Sequence, residues 1–218
     1  MSNLKLVICN KRYSSWSLRP WFLLKQAGIP FQEVKIYLYK DDSDRKIRQY
    51  SAAGKVPILI DGELTVWESL AICEYIAEKF PKKKLWPDNL KARAVARSIS
   101  HEMHAGFMNL RQHMPHNCAI KNPFKNIPPL VQKDISRIEE LWIDCRSKNG
   151  KGGDFLFGEF SIADCMYAPV VNRFVTYDVQ LGSVGEKYKE AVLSLPVLKE
   201  WIKEGQRETE RIEAYEKK

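Results

Sequence analysis

Apolar residues in the first eighty positions recur with two different spacings. Residues 4–9 form an apolar run of strand length, interrupted only by Lys5, whereas residues 18–27 have helical spacing and are followed by Gly28 and Pro30, which commonly end helices. Residues 32–37 alternate and are β-branched, as in a strand. In chain order, the pattern predicts a strand at 4–9, a helix at 18–27, a strand at 32–37, a weak helix at 41–49, a hairpin at 57–66 with its turn at Asp61-Gly62, and a helix at 70–80. This order, β-α-β-α-β-β-α, is that of a small α/β domain.

Beyond Pro81 the spacing becomes helical almost throughout. Residues 81–87, which begin and end with proline, are predicted to be a linker. A long helix is predicted from one apolar stripe, made of Val95, Ile99, Met103, Phe107, Leu110 and Met114. Further helices are predicted at 129–147, after Ser161 in a capping-box-like Ser-Ile-Ala-Asp start, and after Pro196. The sequence therefore predicts an α/β domain at residues 1–80, a linker at 81–87 and an all-helical domain at 88–218.

Composition narrows the class of protein. The chain has 218 residues, 44% hydrophobic and 28% charged, and a chain of this length buries enough surface to fold without disulfides or metal. No apolar run approaches the roughly 18 residues of a membrane helix, and the first ten residues lack the features of a secretory signal. The five cysteines are an odd number without C-x-x-C spacing, which favours a reducing compartment. We therefore expect a cytoplasmic protein with no membrane partner.

The formal net charge of +8 raises the question of nucleic-acid binding. Much of the excess lies at residues 82–97, where six basic residues accompany one aspartate. Near the C-terminus, opposite charges stand three residues apart, as at Glu204 and Arg207, which is typical of a solvated helix face. The sequence has no basic stretch interleaved with aromatic residues and no nucleic-acid-reading motif. We therefore expect no nucleic-acid partner.

A first candidate site precedes the first predicted helix. Because Pro20 is best tolerated in a first helical turn, the N-cap of the helix is predicted to lie near Ser15 to Ser17. Ser14 and Ser15 then lie beside free N–H groups at the positive end of the helix dipole, a position that favours an anion. A hydroxyl there can donate a hydrogen bond to a bound thiolate or alkoxide. Alternatively, the two serines act only as helix caps, since serine is a preferred N-cap residue.

Two more candidate sites follow along the chain. Lys55, Val56 and Pro57 immediately precede a predicted strand. Pro57 is either an ordinary strand-edge residue or part of a cis bond that presents the backbone of Val56 to an extended peptide ligand. Glu68 and Ser69 begin the next predicted helix, where they either cap it or hold the charged groups of an amino-acid end.

In this order and spacing, the motifs resemble those of the cytosolic glutathione S-transferase family. The resemblance spans essentially the whole chain and implies a thioredoxin-like first domain and a helical-bundle second domain. The Ser-Ser-x-Ser-x-Arg run is most similar to the zeta class, which includes maleylacetoacetate isomerase, and to bacterial serine-type relatives. The zeta pattern has cysteine where Trp16 stands. The matching motifs are Ser14-Ser15-Trp16-Ser17-Leu18-Arg19, Gly54-Lys55-Val56-Pro57, Glu68-Ser69 with Ala71-Ile72, and Ser161-Ile162-Ala163-Asp164.

The resemblance implies a set of glutathione contacts. Ser14, or failing that Ser15, would hydrogen-bond the sulfur of glutathione, the co-substrate, and stabilise its thiolate. Val56, before a cis Pro57, would pair with the cysteinyl backbone of glutathione. The remaining glutathione-binding residues that the resemblance implies are Lys55, Glu68 and Ser69, of which the last two would hold the γ-glutamyl end.

The resemblance also implies a second substrate and an assembly. The thiolate would add to a small hydrophobic electrophile in a pocket lined by Trp16, His104 and Phe107, in a protein that is usually a homodimer. One alternative is glutathione-dependent cis–trans isomerisation of a maleyl-type dicarboxylate, for which Arg12, Arg19 and Arg111 are candidate cationic anchors. Another is a glutathione-binding or interaction module without turnover, because a fold does not fix a function.

Histidines and cysteines offer weaker signals. All four histidines fall within residues 101–116, in two pairs with i,i+3 spacing, but no cysteine or carboxylate completes a local metal site, so we expect no metal. Cys9 lies in the apolar first strand and is predicted to be a buried structural thiol. Serines at positions 14 and 17 occupy the place of a redox Cys-x-x-Cys, which argues against disulfide exchange.

Overall fold

The computed structural model describes residues 4–216, so the predicted domain ends at 1–3 and 217–218 lie outside the described residues. The first part of the chain is a four-stranded sheet with helices. Its elements are β1 (Leu4–Ile8), α1 (Ser15–Gln26), β2 (Gln32–Lys35), α2 (Ser43–Arg48), β3 (Ile58–Asp61), β4 (Leu64–Trp67) and α3 (Ser69–Lys79). The strand order is β2-β1-β3-β4, with β1 parallel to β2 and the other pairs antiparallel. The predicted β-α-β-α-β-β-α order is confirmed.

Helix α1 begins at Ser15, so its N-cap lies one residue before the predicted range of Ser15 to Ser17. Ser14 is its N-cap, and the Ser14 hydroxyl accepts a hydrogen bond from the backbone N–H of Ser17 at 3.3 Å. Pro20 therefore lies inside the helix, where it removes one backbone hydrogen bond. The helix continues through it because the side chains of residues 21–24 are fully buried, and this burial outweighs the missing bond.

The hairpin of β3 and β4 forms where the alternating pattern places it. Asp61 pairs with Leu64 across a two-residue turn, and Gly62 at this turn has a φ of +61°, in the left-handed region that glycine adopts without strain. The Val56–Pro57 bond just before β3 is cis. The turn and the hairpin together bring the residues that precede β3 and follow β4 to the same end of the sheet.

The second part of the chain is helical, as predicted. A 3₁₀ turn at Pro81–Lys83 leads into it, and Leu85 and Trp86 in the connecting stretch are buried in the core. The Trp86 indole N–H donates to Glu74 on α3 at 2.8 Å, so this stretch is packed against the first domain. The helices are α4 (Leu90–Ala105), α5 (Met108–His113), α6 (Pro129–Asn149), α7 (Ile162–Thr176), α8 (Ser183–Ser194) and α9 (Pro196–Arg207), followed by a 3₁₀ turn at Glu213–Tyr215.

Three details of the helical part differ from the sequence pattern. The single long helix predicted across residues 95–114 is broken between α4 and α5, where Phe107 adopts a left-handed φ of +59°. Val95 is 42% exposed, and its neighbour Ala96 faces the core instead. Helix α8 was not predicted, because its buried residues Tyr188 and Val192 are separated by charged positions and the apolar stripe is short.

One hydrophobic core runs continuously through both parts of the chain. Helix α1 packs against α3 on one side and α7 on the other. Aromatic pairs join the two parts: Trp21 lies 5.0 Å from Trp201 and Phe22 lies 5.2 Å from Phe160, between ring centroids. The start of α7 is fixed by the predicted capping box of Ser161 and Asp164. Both parts therefore hold α1, and with it the loop that precedes α1.

Candidate active site

The loop between β1 and α1 presents two serine hydroxyls at the start of a helix. Ser14 and Ser15 are both only 6% exposed, and the Ser14 hydroxyl lies 2.8 Å from that of Ser17. Ser17 in turn accepts the backbone N–H of Cys9 from the end of β1 at 3.2 Å. This chain of hydrogen bonds fixes Ser14 relative to the sheet. Because the N–H groups of the first helical turn face the same side, the position favours an anion.

A cavity of about 590 Å³ opens beside these serines and lies between the two parts of the chain. Its walls come from the β1–α1 loop, the stretch before β3, the start of α3 and the helical domain. The lining residues of the first domain are Tyr13, Ser14, Ser15, Trp16, Leu38, Tyr39, Ile47, Gly54, Lys55, Val56, Pro57, Trp67, Glu68 and Ser69. Those of the second are His104, Met108, Arg111, Pro115, His116, Arg173 and Tyr215.

Glu68 and Ser69 lie at the start of α3, on the cavity wall. Glu68 has a left-handed φ of +69° and makes no side-chain cap bond to the helix; its carboxylate instead lies 3.3 Å from Nε2 of His104. Ser69 is buried and its hydroxyl accepts a hydrogen bond from the Arg19 guanidinium at 3.4 Å. The side chain of Glu68 thus does not cap α3, which removes one of the two roles that the sequence left open.

Trp16 forms a stack of charged and aromatic groups at the floor of the cavity. The guanidinium carbon of Arg19 lies 4.3 Å from the Trp16 ring centroid and that of Arg111 lies 4.8 Å from it. The His104 ring meets the indole edge-on at 5.1 Å. Burial and the nearby Arg19 charge lower the pKa of His104, so its imidazole is neutral at pH 7. Two cations on one indole are an arrangement that cation–π attraction stabilises.

Arg173 and His116 were not predicted, and both line the cavity from the helical domain. The Arg173 Nε donates to the Met114 carbonyl at 2.8 Å, and no carboxylate within residues 4–216 forms an ion pair with this guanidinium. Burial and the Arg111 charge lower the pKa of Arg173 to about 9. Burial, with Arg173 close by, lowers the pKa of His116 well below its usual value, and its Nε2 lies 3.0 Å from Nδ2 of Asn172.

Nearly all of the predicted site residues gather at this cavity. Ser14, Ser15, Trp16, Lys55, Val56, Pro57, Glu68, Ser69 and His104 line it. Phe107 does not; it packs in the hydrophobic core, because the break after α4 turns it away. Of the candidate cationic anchors, only Arg111 lines the cavity, whereas Arg12 and Arg19 are buried behind it. A signal for Arg173 was absent from the sequence, since nothing local connects α7 with a loop some 160 positions earlier.

Other chemistry has little support in the structure. Burial raises the pKa of Cys9 to about 12, and the nearby Glu208 adds to that effect, so Cys9 is an inert buried thiol as predicted. No group of three His, Cys, Asp or Glu side chains among the described residues is arranged to hold a metal ion. Within residues 4–216, every helix is too short or too polar to cross a membrane.

Comparisons with known families match both halves of the chain. Residues 13–79 match the family described as glutathione S-transferase, N-terminal domain, and residues 128–204 match the glutathione S-transferase, C-terminal domain. Rattus norvegicus maleylacetoacetate isomerase is 33% identical over 177 residues, which cover 77% of this chain and 76% of the relative. Glutathione S-transferase Z2 of Arabidopsis thaliana is 24% identical over 209 residues, covering 91% and 93%.

Solved structures agree on the fold. A glutathione transferase homolog from Burkholderia GL BGR1, solved with bound glutathione, aligns with a TM-score of 0.71 at 21% identity, covering 94% of this chain and 98% of that one. A diazinon-metabolizing glutathione S-transferase of the silkworm Bombyx mori aligns with a TM-score of 0.74 at 16% identity, covering 98% and 99%. The predicted architecture, a thioredoxin-like domain followed by a helical bundle, is confirmed.

Proposed function

Because this chain belongs to the glutathione S-transferase family and is zeta-like within it, we propose that it binds glutathione in the cavity beside α1 and stabilises its thiolate with Ser14. The observation that carries this proposal is the pair of serine hydroxyls at the N-terminal end of α1, facing the cavity. The first domain then holds glutathione, and the helical domain supplies most of the pocket for the electrophile.

The chemistry of thiolate formation fits this position. A thiol with a pKa of about 8.5 is only a few per cent ionised at pH 7, and each tenfold gain in thiolate requires about 1.4 kcal/mol. A hydrogen bond to a charged sulfur contributes about 1.5–3 kcal/mol and a helix N-terminus about 0.3–1 kcal/mol. Together these terms are large enough to make the thiolate a major species at neutral pH. The thiol proton leaves to solvent, and the thiolate then attacks the electrophile.

Ser14 is better placed than Ser15 to act as the donor. Its oxygen accepts the Ser17 N–H, and its hydroxyl donates to the Ser17 hydroxyl, which also accepts the N–H of Cys9. When glutathione binds, the Ser14 proton would turn from the Ser17 oxygen to the sulfur. Ser15, the first residue of α1, has no side-chain hydrogen bond to any residue in 4–216 and is therefore the alternative donor.

The other glutathione contacts follow from the family pattern. We propose that the backbone of Val56 pairs with the cysteinyl unit, flanked by Lys55 and the cis Pro57. Glu68 and Ser69 would hold the γ-glutamyl end at the start of α3, where the free N–H groups of the helix favour its carboxylate.

The nature of the pocket supports a small hydrophobic electrophile with room for a negative charge. Trp16 and Met108 supply apolar surface, and His104 is neutral at pH 7. Arg111 and Arg173 also line the cavity. We propose addition of the glutathione thiolate to electrophiles of this kind, with detoxification as the resulting role.

The arginines favour one second candidate, which is isomerisation of a maleyl-type dicarboxylate by glutathione. Such a substrate needs cationic anchors, and Arg173 has no carboxylate partner within the described residues. Incubation with maleylacetone and glutathione tests this function. Conversion to the trans isomer with little conjugate would favour the isomerase, whereas conjugation without isomerisation would exclude it.

An ultraviolet difference titration of bound glutathione between pH 5 and 9 tests the main proposal. The wild type is compared with Ser14→Ala and Ser15→Ala, and with Ser98→Ala on the exposed surface of α4 as a matched control. We expect thiolate absorbance at pH values well below that of free glutathione, lost in Ser14→Ala and kept in the control. Loss in Ser15→Ala alone would identify Ser15 instead. Glutathione that binds but titrates as it does in water would refute the mechanism and favour a binding module.

We also propose a cytoplasmic homodimer. Four large apolar side chains on β4 and α4 are exposed by 42% or more, namely Leu64, Trp67, Leu90 and Val95. Exposed apolar residues on this scale favour a contact with a second copy of the chain. The five free, buried cysteines suit a reducing compartment. Light scattering after gel filtration would give twice the mass of one chain, and Trp67→Arg would reduce it to one; a monomeric wild type would refute the dimer.

A further inference from the structure

The chain beyond α9 returns to the loop that carries the serines. Glu208, the residue after the last of α9, is 6% exposed and its carboxylate accepts the backbone N–H groups of Lys11 at 2.9 Å and Arg12 at 3.1 Å. Lys35 of β2 donates to the same carboxylate at 3.2 Å. One side chain of the helical domain thus satisfies two backbone donors of the first domain.

Those two donors belong to the turn that ends at Ser14. The N–H groups of Tyr13 and Ser14 both donate to the carbonyl of Asn10, at 3.2 and 2.8 Å, which closes the turn. The N–H groups of Lys11 and Arg12, which lie between Asn10 and Tyr13 in the chain, point outward to Glu208. The position of Ser14 at the start of α1 therefore depends on a turn that is held from inside by Asn10 and from outside by Glu208.

The rest of residues 208–216, here the C-terminal segment, continues along the same loop. The Ile212 N–H donates to the Tyr13 hydroxyl at 3.3 Å, and the Tyr13 hydroxyl donates to Glu216. Asn117 of the helical domain donates to the Tyr215 carbonyl at 3.0 Å and to Glu216 at 3.2 Å. The segment is therefore tied to both parts of the chain along its length.

Tyr215 reaches the cavity itself. Its ring lies 5.7 Å from that of Tyr13 and 6.5 Å from that of Tyr39, between centroids, and its hydroxyl lies 3.4 Å from the Tyr39 hydroxyl. Tyr39 is 70% exposed and comes from the connection between β2 and α2, so the two rings meet across one side of the cavity from opposite parts of the molecule. Tyr215 also borders a smaller cavity of about 270 Å³ beside Arg111.

We propose that the C-terminal segment is a working part of the substrate site, with Glu208 as a positioning residue for Ser14 and Tyr215 as a specificity-determining wall of the cavity. The proposal rests on the proposed function, in which a glutathione thiolate sits beside Ser14. Glu208 acts on the sulfur only through the turn, whereas Tyr215 contacts the group attached to the sulfur.

Glu208→Gln tests the positioning role, with Glu213→Gln as control because Glu213 lies on the same segment and is exposed. The amide keeps one acceptor but turns an NH₂ group toward a backbone N–H, so the turn loses a bond and gains a clash between donors. We expect the thiolate fraction of bound glutathione at pH 7 to fall about tenfold in Glu208→Gln, since a misplacement of about 1 Å has large effects on chemistry. Glu213→Gln should titrate as the wild type does.

A merely structural role for Glu208 predicts a different result. Glu208→Gln would then melt at a lower temperature while its folded fraction titrates bound glutathione unchanged, and the positioning role would be wrong. Glu208→Asp keeps the charge on a shorter side chain; if Glu208→Gln does not fold, the same titration of Glu208→Asp decides the matter, with a reduced thiolate fraction expected.

Tyr215 is tested by binding rather than turnover. The probes are S-methylglutathione and S-(4-nitrobenzyl)glutathione, whose Kd values are measured by calorimetry for the wild type, Tyr215→Phe and Tyr215→Ala. We expect Tyr215→Ala to weaken the nitrobenzyl probe about three- to tenfold, as for loss of an aromatic contact, and to leave the methyl probe unchanged. Tyr215→Phe should keep the wild-type ratio.

Unchanged Kd values for both probes in Tyr215→Ala would refute the role of Tyr215 as a wall of the cavity. Equal weakening of both probes would also overturn it, because the variant would then disturb the glutathione site as a whole. Failure of the wild type to bind S-methylglutathione would refute the proposed function itself, and this outcome is distinct from either result on the segment.

Discussion

Arg173 is a buried cation without a carboxylate partner among residues 4–216, and replacing it with methionine is expected to stabilise the protein. Burial, with Arg111 nearby, lowers the pKa of Arg173 from its usual 12.5 to about 9. At pH 7 the group is charged in both the folded and the unfolded chain, so the whole difference counts against folding, at roughly 5 kcal/mol from 1.36 kcal/mol per pKa unit. Methionine has a similar unbranched length and no charge.

Removing the guanidinium also has a cost. The Met114 carbonyl loses the donor that lies 2.8 Å away, and an unsatisfied buried acceptor costs about 1–3 kcal/mol. The bond from Arg173 to the Pro169 carbonyl is longer, at 3.3 Å, and adds little. The net expectation for Arg173→Met is a gain of about 2 kcal/mol in the free energy of unfolding.

Urea unfolding at pH 7, followed by tryptophan fluorescence, measures this gain. The same variant is assayed for binding of fumarate as a simple dicarboxylate probe, which should weaken in Arg173→Met. Arg137→Met serves as control, since Arg137 is half-exposed and paired with Glu102 on the surface. A destabilised Arg173→Met would refute the reasoning, because Arg173 would then be a structural clamp rather than a charge kept at the expense of stability.

Three further outcomes are expected. Burial raises the pKa of Asp164 to about 6, above the roughly 3.9 of an unfolded chain, so the folded state binds more protons between these values. The free energy of unfolding of the wild type should therefore fall by about 2 kcal/mol relative to Asp164→Asn as pH rises from about 4 to 6, in paired urea titrations; parallel curves would contradict it. Gly205→Ala should lower the free energy of unfolding by about 1–3 kcal/mol in thermal unfolding, because the new Cβ would lie 2.5 Å from Cys118 Sγ and 2.9 Å from Arg12 N. No loss of stability would mean that α9 and the β1–α1 loop can separate. Ellman's reagent should react slowly with the native protein and release all five thiols in guanidinium, since burial raises the pKa of Cys9 to about 12; a fast native thiol would be inconsistent with this.

The sequence predicts the fold well where local rules act together. Strands β1, β3 and β4 are found where short apolar runs and the Asp61-Gly62 turn place them. It fails where packing overrides a local preference. Pro20 would end a weaker helix, but four buried residues after it keep α1 intact. The break at Phe107 has no local marker except Gly106, and a stripe of apolar residues continues straight across it.

The residues of the candidate site also fall into two groups, those that could be predicted from local sequence and those that could not. Residues before β3 and at the starts of α1 and α3 belong to motifs and could be named from the sequence, and they meet at one cavity. Arg173, His116 and Tyr215 also line it, but they arrive from distant parts of the chain through tertiary packing. Their side chains carry no spacing that relates them to Ser14. Because part of the cavity wall comes from these residues, the second substrate is less predictable from the sequence than glutathione.

Glu208 accepts hydrogen bonds from the backbone N–H groups of Lys11 and Arg12, which lie 197 and 196 positions before it in the chain. A ribosome adding about 5–20 residues per second makes Lys11 roughly 10–40 seconds before Glu208. During that interval the nascent first domain carries its serines on a turn whose outward N–H groups still face water. The nascent chain therefore completes the contacts of this turn late, and in an excised first domain the N–H groups of Lys11 and Arg12 would lack their partner Glu208.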